Sequence, residues 1–170
     1  MIVPAVAFPA DAGIEDVKIG LNPPVQISFI VKNAFTKDIE EAISSGIPVS
    51  FTFIVECRKI RRFWFDGYLG RWVFKHTVKY DSLKEDYVIS LDESKKVIRT
   101  RDLNEMEKLM ATGDSIALTP VEPLKAGRQY ECRVKAELYP VKMPFLFNYV
   151  RFFSKFWDID TSWYTYRFTL

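Results

Sequence analysis

IPVSFTFIVECRKI, residues 47–60, decides how the rest of the chain is read. Ile47, Val49, Phe51, Phe53, Val55 and Cys57 keep a period of two over six positions. Such alternation puts every apolar side chain on one face of a β-strand and every intervening residue on the other. The β-branched and aromatic content points the same way.

Outward from this strand the same pattern recurs. PVQISFIVK (24–32) places Val25, Ile27, Phe29 and Val31 on one face, and GRWVFKHTVKY (70–80) does so with Trp72, Phe74, His76, Val78 and Tyr80. DYVISLD (86–92) groups Tyr87, Ile89 and Leu91, and KKVIRT (95–100) and SIALTPV (115–121) are short apolar pieces. RQYECRVKAELYP (128–140) turns Tyr130, Cys132, Val134, Ala136 and Leu138 inward, and SWYTYRFTL (162–170) groups Tyr164, Tyr166, Phe168 and Leu170. Two stretches are helical instead. TKDIEEAISSG (36–46) offers Thr36 as N-cap, acids in the early turns and Gly46 at the C′ position. RDLNEMEKLMATG (101–113) offers an Asp102/Glu105 capping box and a Leu103, Met106, Leu109, Met110 stripe. Seven or eight alternating strands with two or three short helices predict a mainly β chain: an antiparallel two-layer β-sandwich of Ig-like architecture.

The bulk composition agrees with one globular domain. The chain has 170 residues, 48% hydrophobic, 27% charged and 15% aromatic, with a formal net charge of +2. So small a net charge points no global field at nucleic acid. No apolar run reaches the ~20 residues of a membrane-spanning helix. At the N-terminus, MIVPAVAFPADAG carries Ala5-Val6-Ala7, the small-x-small form of a secretory cleavage site, behind an apolar start. Residues 1–13 are read as the remnant of an export signal or a flexible N-terminus, and 14–170 as a single domain.

Asp66-Gly67 carries the residues of a two-residue hairpin turn. With Phe65 and Tyr68 flanking it, cross-strand partners have numbers summing to 133. Phe53 then faces Tyr80, Val55 faces Val78 and Cys57 faces His76. Lys59 opposite Phe74 and Arg61 opposite Trp72 become cation–π candidates. Arg58 meets Lys75 and Arg62 meets Arg71, which are like-charge pairs that destabilise a sheet. From Glu56 to Lys79 there are seven Lys/Arg residues against Glu56 and Asp66. Arg58, Arg61, Arg62, Phe63, Trp64, Arg71, Trp72 and Lys75 therefore form a candidate partner or anion surface. The plainer reading is a solvated face whose acids come from a neighbouring strand, with Glu131 and Glu137 available for that role.

MPFLFNYVRFFSKFW (143–157) is a second candidate surface. As a helix it gathers Asn148, Arg151 and Lys155 on a narrow polar stripe, with Phe152, Phe153, Phe156 and Trp157 elsewhere. That pattern suits a membrane or partner foot, with Arg151 and Lys155 for headgroups; the plainer reading is a crossover helix packed into the core.

His76 is the one histidine, and it sits on an inward strand face with no nucleophile pattern around it, as a buried structural histidine does. Cys57 and Cys132 are the only cysteines, both mid-strand and inward. Either they bridge the two layers as a disulfide or they are two buried thiols. Asp158, Asp160 and Ser162 have the spacing of a calcium loop without its glycine or closing glutamate. No catalytic constellation, metal site or cofactor motif is legible.

Several short stretches, in order, resemble the bacterial envelope family catalogued as domain of unknown function 4390. They are Gly46-Ile47-Pro48-Val49, Arg62 and Trp64, Tyr80-Asp81-Ser82-Leu83 with Tyr87, and Gly127 with Tyr130. Met143-Pro144-Phe145-Leu146 and Trp157 with Ser162-Trp163 complete the series. The resemblance runs from about Ile14 to Trp163. It implies a secreted or periplasmic protein with no established activity and no catalytic residues to carry over. The expectation is an exported, non-enzymatic binding or scaffold protein acting on an envelope protein partner. The alternative is a peripheral membrane or lipid-binding module using segment 143–157. Nucleic acid is not expected as a partner, and the oligomeric state is not legible.

Overall fold

A computed structural model describes residues 12–63, 65–140 and 159–170. Among them the order is β1 (Gly13–Gly20), β2 (Val25–Lys32), α1 (Lys37–Ser44), β3 (Val49–Lys59), β4 (Gly67–Asp81) and β5 (Asp86–Leu91). β6 (Lys96–Thr100), α2 (Leu103–Ala111), β7 (Thr112–Leu118), β8 (Gln129–Pro140), β9 (Ile159–Asp160) and β10 (Tyr164–Thr169) follow. The strands form two open antiparallel sheets: β1-β2-β7, and a larger one running β10-β8-β3-β4-β5-β6 with β9 beside β8.

β3 is central because both of its edges are paired along its length, to β4 and to β8. Its inward residues Val49, Phe51, Phe53, Val55 and Cys57 are buried, as are Tyr130, Cys132, Val134, Ala136 and Leu138 of β8. The small sheet answers with Ile27, Phe29 and Val31. Phe29 meets Phe53 with ring centroids 5.2 Å apart, and Phe53 meets Phe74 at 5.3 Å, so one aromatic seam joins the layers.

The helices close the open ends of the core. Thr36 caps α1 by accepting from Ile39 N–H, and Gly46 leaves the helix at φ +84, a conformation that favours glycine. Asp102 caps α2 by accepting from Asn104 N–H. The predicted capping box does not close. The Glu105 carboxylate accepts from Thr100 Oγ1, and the same Thr100 oxygen accepts from Asp102 N–H in its place. Met106 and Met110 anchor α2 in the core.

The β3–β4 register departs from the expectation. Partners sum to 127, not 133: Phe53 faces Phe74, Val55 faces Trp72 and Cys57 faces Gly70. The connection spans residues 60–66 and β4 begins at Gly67, so Asp66-Gly67 is not a two-residue turn. Asp66 spends its carboxylate on the wider loop, accepting from Arg61 N–H at 3.2 Å and pairing with Arg58 at 3.3 Å. From Val49 to Cys57 the shift of six residues is even, so those side chains keep their predicted face while their cross-strand partners change. A bulge beyond Cys57 brings the sum to 126 at Arg58–Tyr68 and turns Leu69 inward in place of Tyr68. His76 therefore lies opposite Phe51, not Cys57. Lys59 and Arg61 do not face Phe74 and Trp72. Arg58 does not meet Lys75, nor Arg62 Arg71.

Cys57 and Cys132 are disulfide-bonded with Cα atoms 4.1 Å apart. They are direct partners on β3 and β8, so the bridge joins neighbouring strands of one sheet and not the two layers.

Candidate functional site: the arginine face

Alternation that buries one side of β3, β8 and β4 presents the other side outward. The register then sets side chains in rows across the strands. One row runs Arg71, Glu56, Arg133 over β4, β3 and β8, and the next runs Arg58, Glu131, Arg167 over β3, β8 and β10. In each row a single carboxylate bridges two guanidinium groups.

Glu56 accepts from Arg71 Nε at 3.0 Å and from Arg133 Nε at 2.8 Å, one to each oxygen. Glu131 accepts from Arg58 Nε at 2.8 Å and Arg167 Nε at 2.6 Å. Glu131 is only 3% exposed, and Arg167 reaches it from a side chain that is 71% exposed. Burial pushes the Glu131 carboxyl up, but hydrogen bonds from Arg167 and Arg58 outweigh it and hold the group below the usual carboxylate range. Arg133 also stacks 4.4 Å from the centroid of the Trp163 ring, a cation–π contact. Farther along, Lys135 bridges Asp160 at 2.7 Å and Glu137 at 3.1 Å, and those partners raise its pKa.

A depression of about 570 Å³ opens beside this network, lined by Arg58, Asp66, Glu131, Arg167 and Phe168 among others. Arg58 and Arg167 line it, Arg133 lines the adjoining hollow, Arg71 sits on Glu56 in the neighbouring row, and Arg61 and Arg62 stand in the adjoining loop. Six arginines thus surround Glu56, Glu131 and Asp66. Each guanidinium has five N–H donors in a fixed fork, and the internal carboxylates use only some of them. The remainder suits carboxylates or phosphates presented from outside.

The predicted surface is gathered in part. Arg58 and Arg71 stand on the arginine face. Arg61, Arg62 and Phe63 lie in the 60–66 loop, where Phe63 is 92% exposed. Lys75 shares the outward side of β4 but lies two rows from Arg71, opposite Thr52. Trp72 does not belong to this surface: it faces inward and packs half-buried against the core. Trp64 lies outside the described residues, as does segment 143–157 with Arg151, Phe152, Phe153, Lys155, Phe156 and Trp157. Glu131 does supply the acid predicted from a neighbouring strand. Arg133, Arg167 and Trp163 were missed. Their signal was the polar half of the RQYECRVKAEL alternation for Arg133 and of SWYTYRFTL for Trp163 and Arg167, legible only once β8 is known to lie between β3 and β10.

His76 is 1% exposed. Its Nδ1 faces the Leu109 and Met110 carbonyls at 3.1 and 3.2 Å, and its Nε2 lies 3.2 Å from Glu93 Oε2. The ring therefore ties β4 to the end of α2. Among the described residues no three His, Cys, Asp or Glu side chains converge as a metal site requires, and no helix is long and apolar enough to cross a membrane.

No curated protein and no solved structure matches the chain. A family model described as Domain of unknown function (DUF4390) matches residues 21–167, and the chain belongs to that family.

Proposed function

We propose that this protein is an exported, non-enzymatic binding module of the bacterial envelope, Ig-like in architecture, whose arginine face docks an acidic segment of a protein partner. One observation carries the reading: the outward rows hold four arginines, three half-exposed and Arg167 exposed, on two shared carboxylates, with two more arginines and exposed Phe63 alongside. An acidic chain completes the guanidinium forks, and Phe63 adds apolar contact of the kind interfaces concentrate. The Cys57–Cys132 bond supports export, because disulfides persist in oxidising compartments.

A fluorescently labelled peptide of alternating glutamate and aspartate tests the docking reading, with poly-lysine as the control. The acidic peptide is expected to bind, and to weaken steeply as salt rises through the range where the Debye length falls from about 10 to about 3 Å. Equal binding of both peptides, or none at low salt, contradicts it.

A further inference from the structure

β4 is 15 residues long, yet β5 pairs only with His76–Asp81. Among the described residues, no strand neighbours the first half of β4 on the side away from β3. Main-chain groups point to alternate sides along a strand. Lys75 O accepts from Asp92 N–H, and Leu69 O from Val121 N–H, both on this open side. The N–H and C=O of Arg71 and Val73 therefore point the same way, and among the described residues nothing pairs with them there.

This bare edge borders a cleft of about 690 Å³, bounded on its far side by β7, whose other edge is taken by β2. Trp72, Phe74, Leu91, Ile98, Leu109 and Ile116 make it apolar. Gly70 makes room for the Trp72 indole, because a Cβ at position 70 would collide with the ring. The Val121–Leu69 bond closes one end, and His76 held against α2 closes the other. From Leu69 to Lys75 is about 20 Å of strand.

The mouth carries Glu93, Glu105 and Asp114 with Lys96 and Lys108. Glu93 already pairs with His76 and Glu105 with Thr100. The mixed signs select neither an anionic nor a cationic headgroup. What remains to be satisfied is two peptide units above an apolar floor, which is the chemistry of another extended chain. Sheet edges are ordinarily covered, bulged or guarded by charge. Here Val73 sits 50% exposed on the open stretch.

We propose that the cleft between β4 and β7 is a strand-acceptor site. An extended segment of a partner protein, apolar at alternate residues, adds to the Arg71–Val73 edge and drops its apolar side chains into the cleft. Its contacts are main-chain and apolar, so binding is insensitive to salt, unlike the arginine face, and the two readings fail independently.

A blocked heptapeptide of alternating threonine and valine is the probe, with amide exchange followed residue by residue at millimolar peptide. Exchange at Arg71 and Val73 is expected to slow by about fivefold or more, at low and high salt alike. A peptide N-methylated at alternate residues is expected to leave it unchanged. Val73→Pro removes a donor on the open side without touching the β3 ladder, and is expected to abolish protection at Arg71. Should that variant not fold, the N-methyl comparison on the unaltered protein decides alone. Three results overturn the proposal: no slowing with the heptapeptide, equal slowing with the N-methylated peptide, or a dimer that the heptapeptide dissociates. The last would seat a second copy in the cleft.

Discussion

Cys57 and Cys132 stand directly opposite each other on β3 and β8, Cα atoms 4.1 Å apart, and lock the two most buried strands of the large sheet together. The bond closes a loop between cysteines 75 residues apart in sequence. In the loop-entropy picture such a bridge stabilises the fold by about 4 kcal/mol. Reduction, or a Cys57→Ala/Cys132→Ala pair, is expected to lower stability by that order in denaturant unfolding. Thiol labelling of the unfolded, unreduced protein is expected to find no free thiol.

Glu131 is the buried member of its row, and its folded pKa is depressed. A depressed carboxylate stabilises above the unfolded value, and that contribution is lost as pH falls through the folded value. The protein is therefore expected to lose stability on acidification below about pH 4.5. Glu131→Gln removes that dependence and costs about 2 kcal/mol at neutral pH, by leaving Arg58 and Arg167 without their carboxylate. Urea titrations of both proteins across acidic pH check the sign and the size.

Glu107 on α2 has the opposite sign. Burial, and then the neighbouring Glu40 carboxylate on α1, raise its pKa. A raised carboxyl favours the fold at pH below its unfolded value and loses that advantage as pH rises through the folded one. Glu107→Gln is expected to stabilise the protein at neutral pH by less than about 1 kcal/mol, given its exposure. The gain is expected to vanish in acid. Thermal melts at the two pH values provide the measurement.

His76 holds the end of α2 and the turn carrying Glu93. His76→Phe keeps a ring to pack beside Phe53, now 4.9 Å from the imidazole, but removes both ring nitrogens from those contacts. A loss of about 2 kcal/mol is expected, with faster amide exchange concentrated in α2. Unchanged α2 exchange would show that the ring serves only as packing.

Face assignment was legible in the sequence because side-chain parity is local: Phe51, Phe53, Val134 and Ala136 needed only their own neighbours. Strand register was not. Parity admits any even shift, and the position of the β3–β4 pairing depended on how Asp66 used its carboxylate within the 60–66 loop. β1 escaped notice because GIEDVKIG alternates weakly, with Asp16 at φ 51 interrupting the strand. The arginine face was half legible. Arg58 and Arg71 stood out in a basic run, whereas Arg133 and Arg167 join them only through the pairing of β8 with β3 and β10. The open edge of β4 is a property of topology, and no local pattern encodes it.

Docking of an acidic partner stands or falls on the arginine face. The decisive measurement is the affinity of the acidic peptide for the unaltered protein and for Arg62→Glu/Arg71→Gln, a variant that leaves Glu56 its Arg133 partner and Glu131 both of its own. Binding is expected to weaken at least about tenfold, some 1.4 kcal/mol, in a variant whose unfolding curve is unchanged. Equal affinity in that folded variant would contradict it.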